Sequence, residues 1–175
     1  MKTTSLITNQ IIERLKEAGI KAKKSLGQNF LVNEGIYQKI VESAAIEPAD
    51  IIVEVGPGLG ILTDMLADKA EKVIAVEKDR QLADYLNEHF SNNKNVTIIN
   101  EDMLKFKIEN LKLKIGTYKV IGNIPYYLTS RLIRQTLASW PSPKSIIFTV
   151  QKEVAQRITA VPPKMSLLSV AVQFY

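Results

Sequence analysis

From Asp50 onward, short β-branched runs alternate with stretches of helical period, and this alternation limits the possible folds more than any other feature of the chain. Ile51-Ile52-Val53-Glu54-Val55 has the near-continuous apolar character of a parallel strand buried on both faces. Residues 73–76, 96–99, 119–121 and 145–150 repeat it, and helical spacing fills residues 61–69, 80–90, 128–140 and 153–159. This order predicts an α/β fold with a doubly wound, mainly parallel sheet and right-handed crossovers. Upstream, Ile7, Ile11, Leu15 and Ala18 share one helical face that Gly19 ends, so residues 1–20 read as an N-terminal helical extension to a domain of residues 21–175. Ile36, Ile40, Val41 and Ala44 mark a second helix, stopped near Pro48. Leu167, Val170, Ala171 and Phe174 fit a helix face, whereas Val170, Val172 and Phe174 fit a strand face, and both readings stay open.

Composition removes several kinds of chemistry. The chain has no cysteine, so disulfides, thiolate nucleophiles and cysteine-based zinc sites are excluded. His89 is the single histidine, which leaves no multi-histidine metal site, and its polar helical surroundings predict an exposed surface position. No metal is expected. No apolar run reaches the ~18 residues of a membrane span, and Glu13, Arg14, Lys16 and Glu17 interrupt the first 20 residues, so no signal peptide is read there. The expectation is a cytoplasmic monomer. The net charge of +5 permits a polyanionic partner. Lys16, Lys21, Lys23 and Lys24 form one basic cluster, and Lys105, Lys107, Lys112, Lys114 and Lys119 form another that equally suits a solvated surface.

Gly56, Gly58 and Gly60 follow the first strand directly, where glycine allows a tight turn and close approach of a ligand to the backbone. The dinucleotide fingerprint would place its third glycine at position 61, which is Ile61, so pyrophosphate binding is disfavoured. Glu54 adds a carboxylate that repels pyrophosphate and tolerates a cation. Glu77 ends the second strand, where a carboxylate can accept hydrogen bonds from both ribose hydroxyls. Asp102 follows the third strand, placed for an adenine amino group with Met103 against the ring. Each of these carboxylates would also suit a helix N-cap. Ribose, adenine and a sulfonium together describe S-adenosylmethionine.

Asn123-Ile124-Pro125-Tyr126 stands at the end of the fourth strand. The lone pair of an exocyclic amine is delocalised into its ring, so the amine is a poor nucleophile. Two acceptors, the Asn123 side-chain oxygen and the Ile124 carbonyl, can orient such an amine. Pro125 fixes the turn, and Tyr126 offers a stacking face worth about 1–3 kcal/mol to an extruded base. A strand-ending turn with a packed tyrosine is the plainer reading of the same four residues.

With these motifs the chain resembles the ribosomal RNA adenine N6-dimethyltransferases, nearer the housekeeping small-subunit enzymes than the macrolide-resistance ones. The matching text is Lys24-Ser25-Leu26-Gly27-Gln28-Asn29-Phe30-Leu31, residues 54–60, Asn123 to Tyr126, and residues 150–158 beginning Val150-Gln151-Lys152-Glu153. The resemblance covers about residues 21–175. It implies that Gln28, Asn29 and Leu31 close over the cofactor, and that Gly56, Glu77, Lys78 and Asp102 hold S-adenosylmethionine. Asn123 and the Ile124 carbonyl would receive the N6 hydrogens of the target adenine, and Tyr126 would stack on it. The implied substrate is a pair of adjacent adenosines near the 3′ end of small-subunit ribosomal RNA, each taking two methyl groups. Lys21, Lys23, Lys24, Phe30, Lys152 and Arg157 are expected to meet RNA, although Lys21 to Lys24 also suit a solvated linker and Arg157 a salt-bridged helix. Family members continue into a final hairpin and a small helical domain, both expected to be missing here. The competing readings are a non-catalytic RNA-binding or ribosome-assembly factor, a nicotinamide-dependent oxidoreductase and a DNA adenine methyltransferase. Trp140 is expected in the core at a helix end.

Overall fold

The structure is a computed structural model and describes residues 6–19, 31, 33–125 and 127–174. The sequence-predicted residues Lys21, Lys23, Lys24, Gln28, Asn29, Phe30 and Tyr126 lie outside the described residues.

Two helices, α1 (Leu6–Glu17) and α2 (Glu34–Ala44), precede the alternating part of the chain. There β1 (Ile51–Val55), α3 (Ile61–Ala67), β2 (Lys72–Glu77), α4 (Arg80–His89) and β3 (Val96–Asn100) follow one another. A 3-10 turn at Ile108–Leu111 leads to β4 (Tyr118–Asn123), α5 (Thr129–Ala138), β5 (Ser145–Thr149), α6 (Lys152–Ile158) and α7 (Leu167–Phe174). The five strands form one parallel sheet in the order β3-β2-β1-β4-β5. This is the Rossmann-like methyltransferase fold. The chain winds outward from β1 to β3, then returns to β4 on the other side, so the order reverses between β1 and β4. Open α/β sheets bind ligands at that reversal, beyond the carboxyl ends of the strands.

Each sheet face carries its own core, as a parallel sheet requires. Along β1, Ile52 joins Ile11, Tyr37, Ile40, Leu62 and Leu66 on one face. Val53 and Val55 join Met103, Phe106, Tyr118, Leu132 and Trp140 on the other. Ile52, Leu66 and Leu132 are fully buried, each contributing about 1.5–3 kcal/mol of hydrophobic stabilisation. Helix α1 belongs to the first core, because Ile7 and Ile11, one turn apart, are both buried. Trp140 is buried as expected.

The second basic cluster divides. Lys105, Lys107, Lys112 and Lys114 are exposed, whereas the interleaved Phe106 and the following Ile108 are buried. Lys119 corrects the surface expectation: it is 3% exposed, and its ammonium reaches the Ala44 and Ala45 carbonyls at 2.8 and 2.7 Å and Asp50 at 2.7 Å. A cation there satisfies the orphan carbonyls at the end of α2 and complements the negative end of its dipole. The ambiguous 167–174 stretch is helical. Ser166 and Ser169 exchange hydrogen bonds at its start: the Ser169 hydroxyl accepts from the Ser166 N–H at 2.5 Å, and the Ser166 hydroxyl accepts from the Ser169 N–H at 3.3 Å. This reciprocal pair resembles a capping box and settles the conformation that hydrophobic period left open.

Candidate active site

The glycine turn is stitched to the end of β2. Gly56 N–H donates to the Val76 carbonyl at 3.0 Å, and Gly58 N–H donates to the Glu77 carboxylate at 3.1 Å. Its outer glycines meet different surroundings. A Cβ on Gly60, where φ is +79°, would fall 2.7 Å from Leu86 Cδ2 and 2.9 Å from Phe90 Cε2. At Gly56, where φ is +65°, a Cβ would have no heavy atom within 4 Å, because that backbone faces a cavity. Helix α1 braces the turn: Arg14 donates to the Leu59 carbonyl at 2.8 Å and pairs with Asp64 of α3.

The cavity, about 1030 Å³ of empty space open to solvent, lies over the ends of β1, β2 and β4. Glu54, Gly56, Gly58, Glu77 and Lys78 line its β1–β2 side. Leu31, Asp102, Met103, Asn123 and Pro125 line it as well, so ten sequence-predicted residues come together. Gly60 packs behind the turn, and Ile124 is buried beneath Asn123. Lys152 and Arg157 stand exposed on α6, away from the cavity wall, and Arg157 makes no ion pair among the described residues. His89 is on the exposed surface of α4, with its Nε2 3.6 Å from Asp64.

Glu77 is 8% exposed and accepts from the Asp79 N–H at 2.8 Å as well as from Gly58. Burial raises its pKa, and these N–H groups pull against that without cancelling it. The N-cap of α4 is Asp79, whose carboxylate accepts from Gln81 N–H at 2.9 Å, which leaves Glu77 free of that role. Asp102 accepts from the Leu104 N–H at 3.0 Å and pairs with Lys78 at 2.9 Å. Burial pushes its pKa up, but the Lys78 hydrogen bond, the Leu104 N–H and the Lys78 and Lys105 charges hold it below the usual carboxylate range.

Glu54 is 1% exposed, and burial, reinforced by the Asp64 and Glu77 charges, lifts its pKa to about 8. The Thr63 hydroxyl lies near enough to oppose this. Even so, neither Thr63 Oγ1 nor Glu54 Oε2 completes a hydrogen bond of normal geometry among the described residues.

Asn123 closes β4 beside β5. Its side-chain oxygen accepts from the Thr149 hydroxyl at 2.5 Å, across the register that pairs the two residues. Its predecessor Gly122 brings β4 against β1, since a Cβ there would stand 2.8 Å from the Val55 carbonyl. The Pro125 carbonyl accepts from the Leu128 N–H at 2.9 Å and leads into α5.

Sequence reasoning missed Ile11, Tyr37, Asp79 and Tyr127, which also line the cavity. Ile11 and Tyr37 sit on apolar helix faces whose period says only that they are buried. Thr149 and Arg14 carried no signal, because their partners are 26 and 50 residues away.

A family model described as Ribosomal RNA adenine dimethylase matches residues 19–175. The Ribosomal RNA small subunit methyltransferase A of Dehalococcoides mccartyi strain BAV1 is 42% identical over 166 residues, covering 95% of this chain and 57% of that protein. The protein of the same name from Clostridioides difficile strain 630 is 41% identical, covering 95% of this chain and 60% of its own length. Among solved structures, a dimethyladenosine transferase from Plasmodium falciparum matches with a TM-score of 0.70 and 28% identity, over 82% of this chain and 51% of that one. The 23S rRNA methyltransferase ErmE matches with a TM-score of 0.64 and 31% identity, over 74% of this chain and 50% of its own. The chain thus spans less than two thirds of the length of these relatives.

Proposed function

We infer that this chain, which belongs to the ribosomal RNA adenine dimethylase family, uses S-adenosylmethionine to methylate N6 of two adjacent adenosines near the 3′ end of small-subunit ribosomal RNA. The product is N6,N6-dimethyladenosine. One observation carries this reading: Gly56, Glu77 and Asp102, from the ends of β1, β2 and β3, line one cavity with Asn123 from the end of β4. A nucleoside-bearing donor and an amine acceptor would meet across that strand reversal.

The residues present fit the cofactor. Open space over Gly56 lets a ligand approach the backbone, and a buried carboxylate oxygen of Glu54 lacks a partner. Bound S-adenosylmethionine would supply an electrophilic methyl group on its sulfonium. An ionised carboxylate has about four acceptor sites, so Glu77 keeps capacity for a ribose hydroxyl beyond the backbone N–H groups of Gly58, Lys78 and Asp79. Asp102 likewise keeps capacity for an adenine amino group beside Lys78. Met103 and Leu31 offer apolar contact, and Gln28 and Asn29 are assigned to closing the site.

Asn123 and Ile124 do the orienting. Thr149 occupies one lone pair of the Asn123 oxygen and leaves the other for an N6 hydrogen. The Ile124 carbonyl is assigned the second hydrogen. Orientation of this kind contributes up to about 7–11 kcal/mol in the best cases. The nitrogen becomes acidic only as it alkylates, so its proton can pass to water, and His89 does not line the cavity. Pro125 holds the turn and Tyr126 is assigned to stack on the extruded base. Residues 21–175 are read as the catalytic domain and residues 1–20 as a helical extension that braces it through Arg14. Lys21, Lys23, Lys24, Phe30, Lys152 and Arg157 are assigned to RNA, in a monomer acting on small ribosomal subunits in the cytoplasm.

The test incubates unmethylated small subunits with S-adenosylmethionine and the chain, followed by mass spectrometry of digested nucleosides. Dimethyladenosine that disappears with Asn123→Ala is the expected result. A folded chain that binds S-adenosylmethionine and gives no product would favour the non-catalytic binding factor.

A further inference from the structure

The cavity contains an acid that the proposed methyl transfer does not use. Glu54 lies on the same sheet face as Ile52, inside the layer formed by α1, α2 and α3. Its strand neighbours in register are Ala75 on β2 and Ile121 on β4, neither of which carries charge. Among the described residues, the titratable groups that face it come from α1, α2, α3, α4 and β2. Helix α3 presents Asp64 and the Thr63 hydroxyl, and the end of β2 presents Glu77 next to Asp79. Helix α2 presents Tyr37, whose phenol is pushed up to about 12 by burial and then by the Glu54 charge. Arg14 of α1 is bonded to Asp64 and the Leu59 carbonyl, and His89 of α4 has its Nε2 near Asp64 and its ring stacked on Tyr85. Among the described residues no cation pairs with Glu54, and its Oε2 has no hydrogen-bond partner.

A buried carboxylate in that setting has two ways to avoid an uncompensated charge. It keeps its proton, or it receives a cation. The cavity it lines is where a ligand would bring one. We propose that Glu54 is protonated in the ligand-free chain and releases that proton to solvent when the ammonium group of S-adenosylmethionine enters, so that cofactor binding is coupled to loss of one proton. The released proton leaves a carboxylate paired with the incoming ammonium, and no net charge is buried by the exchange.

Resting on the S-adenosylmethionine reading above, this coupling separates ligands by chemistry. S-adenosylhomocysteine keeps the ammonium group and lacks the sulfonium, so it releases the proton too. Methylthioadenosine lacks the amino-acid end, so it binds without release. At pH 7 an acid titrating near 8 is about nine-tenths protonated, so binding releases about 0.9 proton per S-adenosylmethionine. Affinity for S-adenosylhomocysteine rises about ninefold between pH 6 and pH 7 by the same linkage.

The experiment is isothermal titration of the full chain at pH 7 with the three ligands, in phosphate and in Tris, whose ionisation enthalpies differ. The difference in heat counts the protons released. Release with the two amino-acid-bearing ligands, absence with methylthioadenosine, and loss of release in Glu54→Gln are expected. Zero release with S-adenosylmethionine in the unsubstituted chain overturns the inference without any variant. Undiminished release in a folded Glu54→Gln overturns it as well. If none of the three ligands binds the folded chain, the cofactor reading itself falls and takes this inference with it.

Discussion

Replacing each outer glycine of the turn with alanine separates two roles that look identical in the sequence. At Gly60, alanine must hold φ near +79°, a left-handed conformation costing about 1–2 kcal/mol for a residue with a Cβ. Its methyl would also stand 2.7 Å from Leu86 and 2.9 Å from Phe90. Leu86 is fully buried and Phe90 is 5% exposed, so neither can swing into solvent, and overpacking adds about 1–3 kcal/mol. The total for Gly60→Ala is about 2–5 kcal/mol, a large share of the roughly 5–15 kcal/mol that holds a typical domain together. Gly56→Ala carries only the conformational strain, about 1–2 kcal/mol, because its methyl meets nothing. That methyl instead occupies cavity space. Urea unfolding measures the stabilities, and titration with S-adenosylmethionine at a temperature where both variants are folded measures affinity. Gly60→Ala should lose more stability and bind within about threefold of the unsubstituted chain. Gly56→Ala should lose less stability and at least about tenfold in affinity, the equivalent of ~1.4 kcal/mol. Equal stability losses, or the opposite ranking of affinities, would refute the assignment of one glycine to the core and the other to the ligand.

Lys119→Met should cost about 3 kcal/mol in urea unfolding, near the lower end for breaking a buried pair because Lys144 and the Glu47 N–H still serve Asp50; a loss under about 1 kcal/mol would mean the ammonium is effectively solvated. Thr149→Val should slow methylation about tenfold with unchanged S-adenosylmethionine affinity, and Thr149→Ser should restore the rate, as expected for one hydrogen bond of about 1–1.5 kcal/mol. Glu54 binds its proton more tightly folded than unfolded, so the ligand-free chain should lose stability as pH rises from about 4.5 to about 8. Glu54→Gln should flatten that slope in thermal unfolding followed across the same range.

The strands were legible because burial on both sheet faces leaves little but Ile, Val and Ala in them, as in Ile52-Val53 and Val73 to Val76. Their carboxyl ends carry Glu77, Asp102 and Asn123, and strand-end position is a sequence property, so these polar residues of the cavity followed from the same pattern. Long-range geometry did not follow. Lys119 reads as one more surface lysine until the sheet places it under the last turn of α2, 74 and 75 residues away in sequence. The helix at 167–174 was ambiguous because its apolar residues satisfy both periods, and a serine pair that caps it carries no hydrophobic signal. Whether Glu77 or Asp79 would cap α4 depended on a difference of two residues that only hydrogen-bond geometry decides.

The strand order divides the site along a single seam. The turn after β1, Glu77 at the end of β2 and Asp102 after β3 lie on one side, and Asn123 and its partner Thr149 lie on the other. Only the β1–β4 pairing joins the two sides within the sheet. On the proposed reading, changing which acceptor base is oriented is therefore a problem in the β4 and β5 half, with the donor half left as a reusable part. At Gly122 this modularity ends. Any side chain added there would press on the Val55 carbonyl and carry a change in acceptor recognition straight into the glycine turn that follows β1.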